Sequence, residues 1–482
     1  MHIRNTELSL TPRHRCLLWI AAGVLLRLIF LVWVRPSDDD TAVYLELGHN
    51  LLHHGIYGFN TDGVILPSLI RLPGYPLFLA FCESLFSWLS PDHWLTGVFA
   101  LQAIADIGTG LLLAATARRH LSPRTGEAAL ALSMLCPFTA AYCGIAMTES
   151  LSVFAIALGF YAMERVLEAR NLDRHDHAGL CLAGIAAALA MLLRPDGVLL
   201  LLSLGFALLL PLRSLRHNLR QRLSSALLFT CIALAPLLPW TARNWHTFHV
   251  FQPLAPRYVN DPGEYVNRGF YTWLSTWSTG FSDTANVYWG ISELPISEDA
   301  LPPAAFDSPE QRLRTLQLIH TLNQTGSINP ALDAQFAALG AERIRNHPLH
   351  HYLLIPAARA LDMLLRPRTE AFYLDLYWWH YDEHPAQSIA AVSLALLNLA
   401  LILAALLAFI RRSVPWTLLP ASYLILRLIL LATMVNPEPR YTLECFPALI
   451  LAASSLLSPG PSRARQTAGN PFRSLRIHLH TS

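Results

Sequence analysis

A chain of 482 residues that is 53% hydrophobic and only 14% charged, with its apolar residues gathered into long runs, is a polytopic membrane protein rather than a soluble one. Its formal net charge of +2 excludes the broad basic field that nucleic-acid binders carry. Apart from histidine every basic residue is arginine, and the seven cysteines lie mostly in apolar runs with no CxxC and no His-spaced partner, so neither a disulfide nor a cysteine zinc site is expected.

In chain order, the first run is "CLLWIAAGVLLRLIFLVWV" at 16–34, too long and bulky for a signal peptide and lacking a small-residue cleavage site. It is expected to remain as a membrane anchor. Next comes "SDDDTAVYLELGHNLLHHGIYGF" at 37–59, where Ser37 and Asp40 form a capping-box-like start to an amphipathic helix. One acid would satisfy the helix dipole. Three in succession repel one another, which points to a cation, a positive partner or a proton-accepting role. On that helix Asp40, Tyr44, Leu47, Gly48 and Leu51 share a face.

The stretch "PGYPLFLAFCESLFSWLS" at 73–90 is apolar enough to cross a membrane. If it does not cross, Arg13, Arg15, Arg118, Arg119, Arg165, Arg170, Arg411, Arg412 and the arginines of 213–222 and 463–476 all fall on one side. It is therefore expected to be a juxtamembrane or re-entrant helix on the outer face. Spans follow at about 94–117, 127–145, 149–164, 178–193, 197–212, 223–241, 387–410, 414–435 and 441–458. The expected fold is all-α, with about ten transmembrane helices and both termini cytoplasmic.

Four regions result: an N-terminal transmembrane catalytic module at 1–241, an extracytoplasmic domain at 242–386, C-terminal transmembrane helices at 387–458 and a basic tail at 459–482. The outer first loop at 35–93 bears the acidic motif. The outer domain shows helical patterns at 309–323 and 330–346, and its aromatic end "FYLDLYWWHYDEH" suits an interfacial belt better than sugar stacking. There is no inverted repeat of the kind that marks many transporters. Arg27, Asp106 and Arg427 fall inside spans, where each costs about 2.5–3.5 kcal/mol unless paired, so Asp106 is expected to pair with an arginine.

"DTAVYLELGHNLL" followed by "RLPGYPLFLAF", with "MTESL", "LRPDG", "PWTARNW" and "PEPRYTLECFP" further on, resembles the GT-C superfamily of polytopic glycosyltransferases. The resemblance is to bacterial members similar to aminoarabinose transferase and protein O-mannosyltransferases, and it excludes about 250–346. It implies a sugar donor carried on a polyprenyl phosphate, an acceptor met at the outer face, and direct displacement with inversion. The lysine often found beside the proline pair in the aminoarabinose enzymes is Leu72 here, so its role does not carry over.

Such a displacement needs a base for the acceptor hydroxyl and positive charge for the departing phosphate. The resemblance and the residue chemistry together nominate Asp40 as base or acceptor-orienting carboxylate, Asp39 as its alternate, and Glu149 at the start of a helix. Arg71, Arg243 and Arg440 sit at outer membrane edges and could fork a phosphate, with Tyr44, Tyr75, Glu438 and Tyr441 beside them. Arg194, in "RPDG", is expected to be a turn residue. Asp39, Asp40 and Glu149 offer hard oxygen ligands for a divalent ion, although no spacing demonstrates one. The partners expected are the lipid-linked donor, the bilayer and an unidentified glycan, lipid or protein acceptor, with no nucleic acid. The expected location is a bacterial inner membrane with the site facing the periplasm or cell exterior. A flippase for a lipid-linked sugar is the alternative, since it could use the same arginines but has little need of Asp40; an assembly scaffold would need neither.

Overall fold

The computed structural model describes residues 11–33, 39–88, 93–168, 174–210, 219–291, 295–372, 374–411 and 418–458. Helix α1 (Pro12–Trp33) and α2 (Asp39–His54) precede a hairpin of β1 (Gly58–Thr61) and β2 (Val64–Pro67). Then come α3 (Gly74–Phe86), α4 (Leu95–His120), α5 (Pro123–Met134), α6 (Pro137–Ala141), α7 (Glu149–Glu168), α8 (Arg174–Leu193) and α9 (Val198–Leu209). They are followed by α10 (Leu219–Leu234), α11 (Leu237–Phe248), α12 (Arg268–Leu274), α13 (Phe281–Asp283), α14 (Pro309–Thr325), α15 (Pro330–Asn346) and α16 (Ile355–Leu365). The chain closes on α17 (Pro385–Ile410), α18 (Leu418–Ala432) and α19 (Phe446–Ser454).

The protein is mainly helical, as expected, and multi-pass. Four described helices are long and apolar enough to cross a membrane, Pro12–Val32, Leu95–His120, Glu149–Leu167 and Pro385–Ile410, or six if two bent pairs each make one span. Both bends have a proline to explain them. Pro137 separates α5 from α6 and Pro236 separates α10 from α11, and a proline ring can neither donate to the preceding turn nor pack against it. Apolar side chains on the outer faces of α1 and α17, among them Leu25, Leu28, Leu396 and Leu403, are exposed as lipid-facing residues should be.

The main core includes α7, α8 and α9, with Ala155, Ala157 and Ala162 of α7 and Ala183, Ala187 and Ala190 of α8 buried in it. Small side chains let those helices approach closely, which is how helices associate when the surrounding solvent is itself apolar. A separate aromatic core of Phe270, Trp273, Trp277 and Phe336 joins α12 to α15. The two expected helices of that region start where their sequences indicate. Ser308 Oγ accepts from Gln311 N at 3.1 Å ahead of Pro309, and Asn329 Oδ1 accepts from Leu332 N at 2.9 Å ahead of Pro330.

Helix α3 has 13 residues, about 20 Å of rise, so it falls short of a hydrocarbon core of about 30 Å. That length suits a juxtamembrane helix. Its first residue explains the glycine of "LPGYP": a Cβ on Gly74 would stand 2.6 Å from the Leu192 carbonyl oxygen, so only glycine lets α3 sit on the end of α8. The hairpin was not expected. Asp62 and Gly63 both have positive φ, 52° and 86°, as a two-residue turn of the I′ type requires.

Candidate active site

A cavity of about 820 Å³ opens where the starts of α2 and α7, the α8–α9 turn and the segment after α18 meet. Asp40 and Tyr44 of α2, Arg71 of the loop before α3, Glu149 of α7, Arg194 and Asp196 of the turn, and Glu438, Arg440 and Tyr441 line it. Tyr258, Tyr271 and Tyr288 form one wall. Tyr271 stacks on both of its neighbours, with ring centroids 5.8 Å and 5.3 Å apart.

Asp40 is held from two sides. Its Oδ1 accepts from Arg71 Nη2 at 2.5 Å and its Oδ2 from Arg440 Nη2 at 2.7 Å. Burial alone would push the Asp40 carboxyl up, but Arg440 and Arg71 outweigh it and hold it down to about 2. Such a carboxylate is a poor base while both arginines hold it. Arg440 also pairs with Glu438, Nε to Oε2 at 2.5 Å, and Glu438 Oε1 accepts from the Tyr441 hydroxyl at 2.7 Å. Burial pushes the Glu438 carboxyl up, and Arg440 and Tyr441 bring it only part of the way back. Arg71 lies over the Tyr44 ring at 5.7 Å, and its Nε has no hydrogen-bond partner among the described residues.

A second ionic chain runs inward from the cavity floor. Glu149 Oε1 accepts from Arg194 Nη1 at 2.8 Å, and Arg194 Nε lies 3.2 Å from both Asp196 and Glu444. Arg427 closes the chain, bonded to Asp196 and, at 2.7 Å, to Glu444. Every carboxylate in it therefore faces a guanidinium, which is how charge survives at this depth. Asp40 and Glu149, two of the three carboxylates that offer oxygen ligands for a divalent ion, are thus both engaged by arginines. As it stands, that donor set does not fit a cation. The Asp39 side chain and Ser37 lie outside the described residues.

Residues 73–240, roughly a third of the chain, match the family described as dolichyl-phosphate-mannose-protein mannosyltransferase. The match includes Tyr75, Glu149 and Arg194 and stops short of Asp40, Arg71 and Arg440. No curated protein matches in sequence. Among solved structures, the Archaeoglobus fulgidus oligosaccharyltransferase in complex with Zn and sulfate aligns at 16% identity and a TM-score of 0.48, covering 92% of this chain and 48% of that one. ArnT from Cupriavidus metallidurans bound to undecaprenyl phosphate aligns at 14% identity and a TM-score of 0.39, covering 91% and 77%. The chain spans about half the length of the oligosaccharyltransferase it matches.

Two expected binding residues lie away from the cavity. Tyr75 is fully buried behind Tyr44 and donates to Gln102 Oε1 at 2.7 Å. Gln102 in turn donates to the carbonyls of Cys143 and Ile145, so Tyr75 braces the bend that leads into Glu149. Arg243 donates to the carbonyls of Ser68 and Tyr57, at 2.8 Å each, and lies over the Trp240, Tyr57 and Phe248 rings. It clamps the two ends of the β1–β2 hairpin and lines no part of the cavity. Arg194 goes the other way, from expected turn residue to cavity-lining cation. The one hint in the sequence was that its partner Glu149 already stood out at a helix start.

Proposed function

We infer that the protein is an integral membrane glycosyltransferase that moves a sugar from a polyprenyl-phosphate donor to an acceptor on the outer side of a bacterial inner membrane. The observation that carries this reading is Asp40 held between Arg71 and Arg440 at the mouth of a large cavity. The four long apolar helices, or six with each bent pair counted as one span, fit an enzyme embedded in a membrane, and the reading takes about ten spans with both termini cytoplasmic. With α3 outside the count, the cavity faces outwards, and residues 242–386 form an outer domain over it.

The donor phosphate competes with Asp40 for the same two guanidinium groups. Once Arg71 and Arg440 turn to the phosphate, Asp40 loses the charges that keep it from accepting a proton. The acceptor hydroxyl then attacks the anomeric carbon from the face opposite the phosphate, giving inversion. Its proton passes to Asp40 as the bond from carbon to phosphate oxygen breaks, and that electron pair leaves on the phosphate beside the arginines. In this scheme Asp40 ionises donor-free and becomes basic only when there is something to deprotonate for. Glu149 acts through Arg194, and the tyrosine wall suits stacking of a sugar-bearing acceptor.

The test is transfer from a polyprenyl-phosphate sugar by purified protein, read by mass spectrometry of the products. Wild type should form glycosylated acceptor and Asp40→Asn about 10²–10⁴-fold less. Lipid-linked sugar that crosses vesicles intact, at the same rate in both proteins, would show a flippase instead.

A further inference from the structure

Among the described residues outside the cavity, one cluster of ligand-type side chains has no part in sugar transfer. His49 and His53 stand one turn apart on α2, and Glu83 faces them from α3. Glu83 Oε1 lies 3.0 Å from His49 Nδ1 and 2.9 Å from His53 Nε2. It is the sole charged residue of α3 and is buried, while the two imidazoles are half-exposed. Two rings offering nitrogen to a single carboxylate oxygen form a compact triangle, with the ring centroids 4.3 Å apart.

We propose that His49 Nδ1, His53 Nε2 and a Glu83 carboxylate oxygen hold a divalent transition-metal ion, zinc by the chemistry of its donors, that ties α2 to α3. A tetrahedral ion with bonds of about 2.0–2.1 Å keeps its ligand atoms about 3.3 Å apart. The metal-free distances fall a few tenths of an ångström inside that, so a ring rotation of modest size opens the site. Two imidazoles and one carboxylate are a set that zinc accepts, with the exposed side of the rings leaving a fourth position for water. Histidines four apart on one helix face present their nitrogens together, which fixes half of the site before α3 packs.

The ion would be separate from the sugar-transfer chemistry. His49 is nine residues beyond Asp40, about 14 Å along α2, and none of the three ligands lines the cavity. Its effect is mechanical. α2 carries Asp40 at its start, and the loop into α3 carries Arg71, so a staple between the two helices limits how far those two groups can move apart.

The experiment uses the full chain in nanodiscs, stripped with chelator and given zinc or cobalt alone. Wild type should retain one ion per chain by elemental analysis, and zinc should raise its melting temperature. Glu83→Gln and the pair His49→Ala with His53→Ala should lose the ion and the zinc-dependent rise. Because those variants could also loosen the helix pair, His49→Cys with cobalt supplies an independent reading: a thiolate-to-cobalt charge-transfer band appears only if position 49 is a ligand. Wild type that retains no ion at micromolar metal, unchanged stoichiometry in the double variant, or the absence of that band in cobalt-loaded His49→Cys would each overturn the site.

Discussion

Two arginine–aspartate pairs in this molecule use the same chemical groups to opposite ends. Arg27 and Asp106 meet inside the helical bundle at 2.5 Å, with Arg27 1% exposed, and the guanidinium also donates to the carbonyls of Gly23, Met134 and Ser133. Thr139 adds a bond to Asp106. The protein itself satisfies that arginine, which makes the pair a staple between α1, α4 and the break after α5. Asp40 with Arg71 and Arg440 borders a cavity, and Arg71 keeps an Nε without a hydrogen-bond partner among the described residues. An ion pair that is complete on its own stabilises a fold; one left open on a cavity can exchange a partner.

The comparison breaks most visibly at Asp40. Asp40→Asn should lower the turnover number by about 10²–10⁴-fold, the range general-base catalysis supplies, in protein that inserts and purifies as wild type does. Arg71→Ala and Arg440→Ala should each lower kcat/KM for the donor by about 10²–10³-fold, measured against donor concentration. In the staple the effect moves from rate to stability. Arg27→Met leaves Asp106 buried and unpaired at a cost of about 3–5 kcal/mol, seen as a lowered melting temperature, with donor KM unchanged in the surviving fraction.

A finer test lies in pH. Glu438 has its carboxyl raised above the ordinary 4.5, whereas Asp40 stays ionised down to about 2. On acidification Glu438 is therefore neutralised first, which leaves the charge on Arg440 less balanced and favours the phosphate. Donor KM should fall as pH drops through an inflection above 4.5, and Glu438→Gln should be flat with the low KM throughout. The smallest effect on donor use is expected at Arg243→Ala, which should leave donor KM alone and make the β1–β2 hairpin more susceptible to protease.

How much of this was legible depended on whether a residue's role is local. Asp40 and Tyr44 share a helix face through spacing alone, and the pairing of Asp106 follows from the cost of a lone charge in a span. The starts at Ser308 and Asn329 are written in adjacent residues. Arg194 does open the turn that Pro195, Asp196 and Gly197 write, but a turn says nothing of a glutamate 45 residues upstream. Arg243 and Arg440 look alike at outer helix ends, and only the fold shows that one meets loop carbonyls while the other meets Asp40. Tyr75 lies in the motif beside Arg71 but on the face of α3 that packs inwards. The Asp62–Gly63 pair is itself a hairpin-turn signal within residues 35–93.

The exchange of partners at Asp40 can be measured directly by titrating polyprenyl phosphate into wild type and Asp40→Asn in nanodiscs. Removing the carboxylate's charge frees Arg71 and Arg440, so the variant should bind the lipid phosphate at least as tightly as wild type while its sugar transfer falls by about 10²–10⁴-fold. Weaker binding by Asp40→Asn, or normal transfer, would contradict the account.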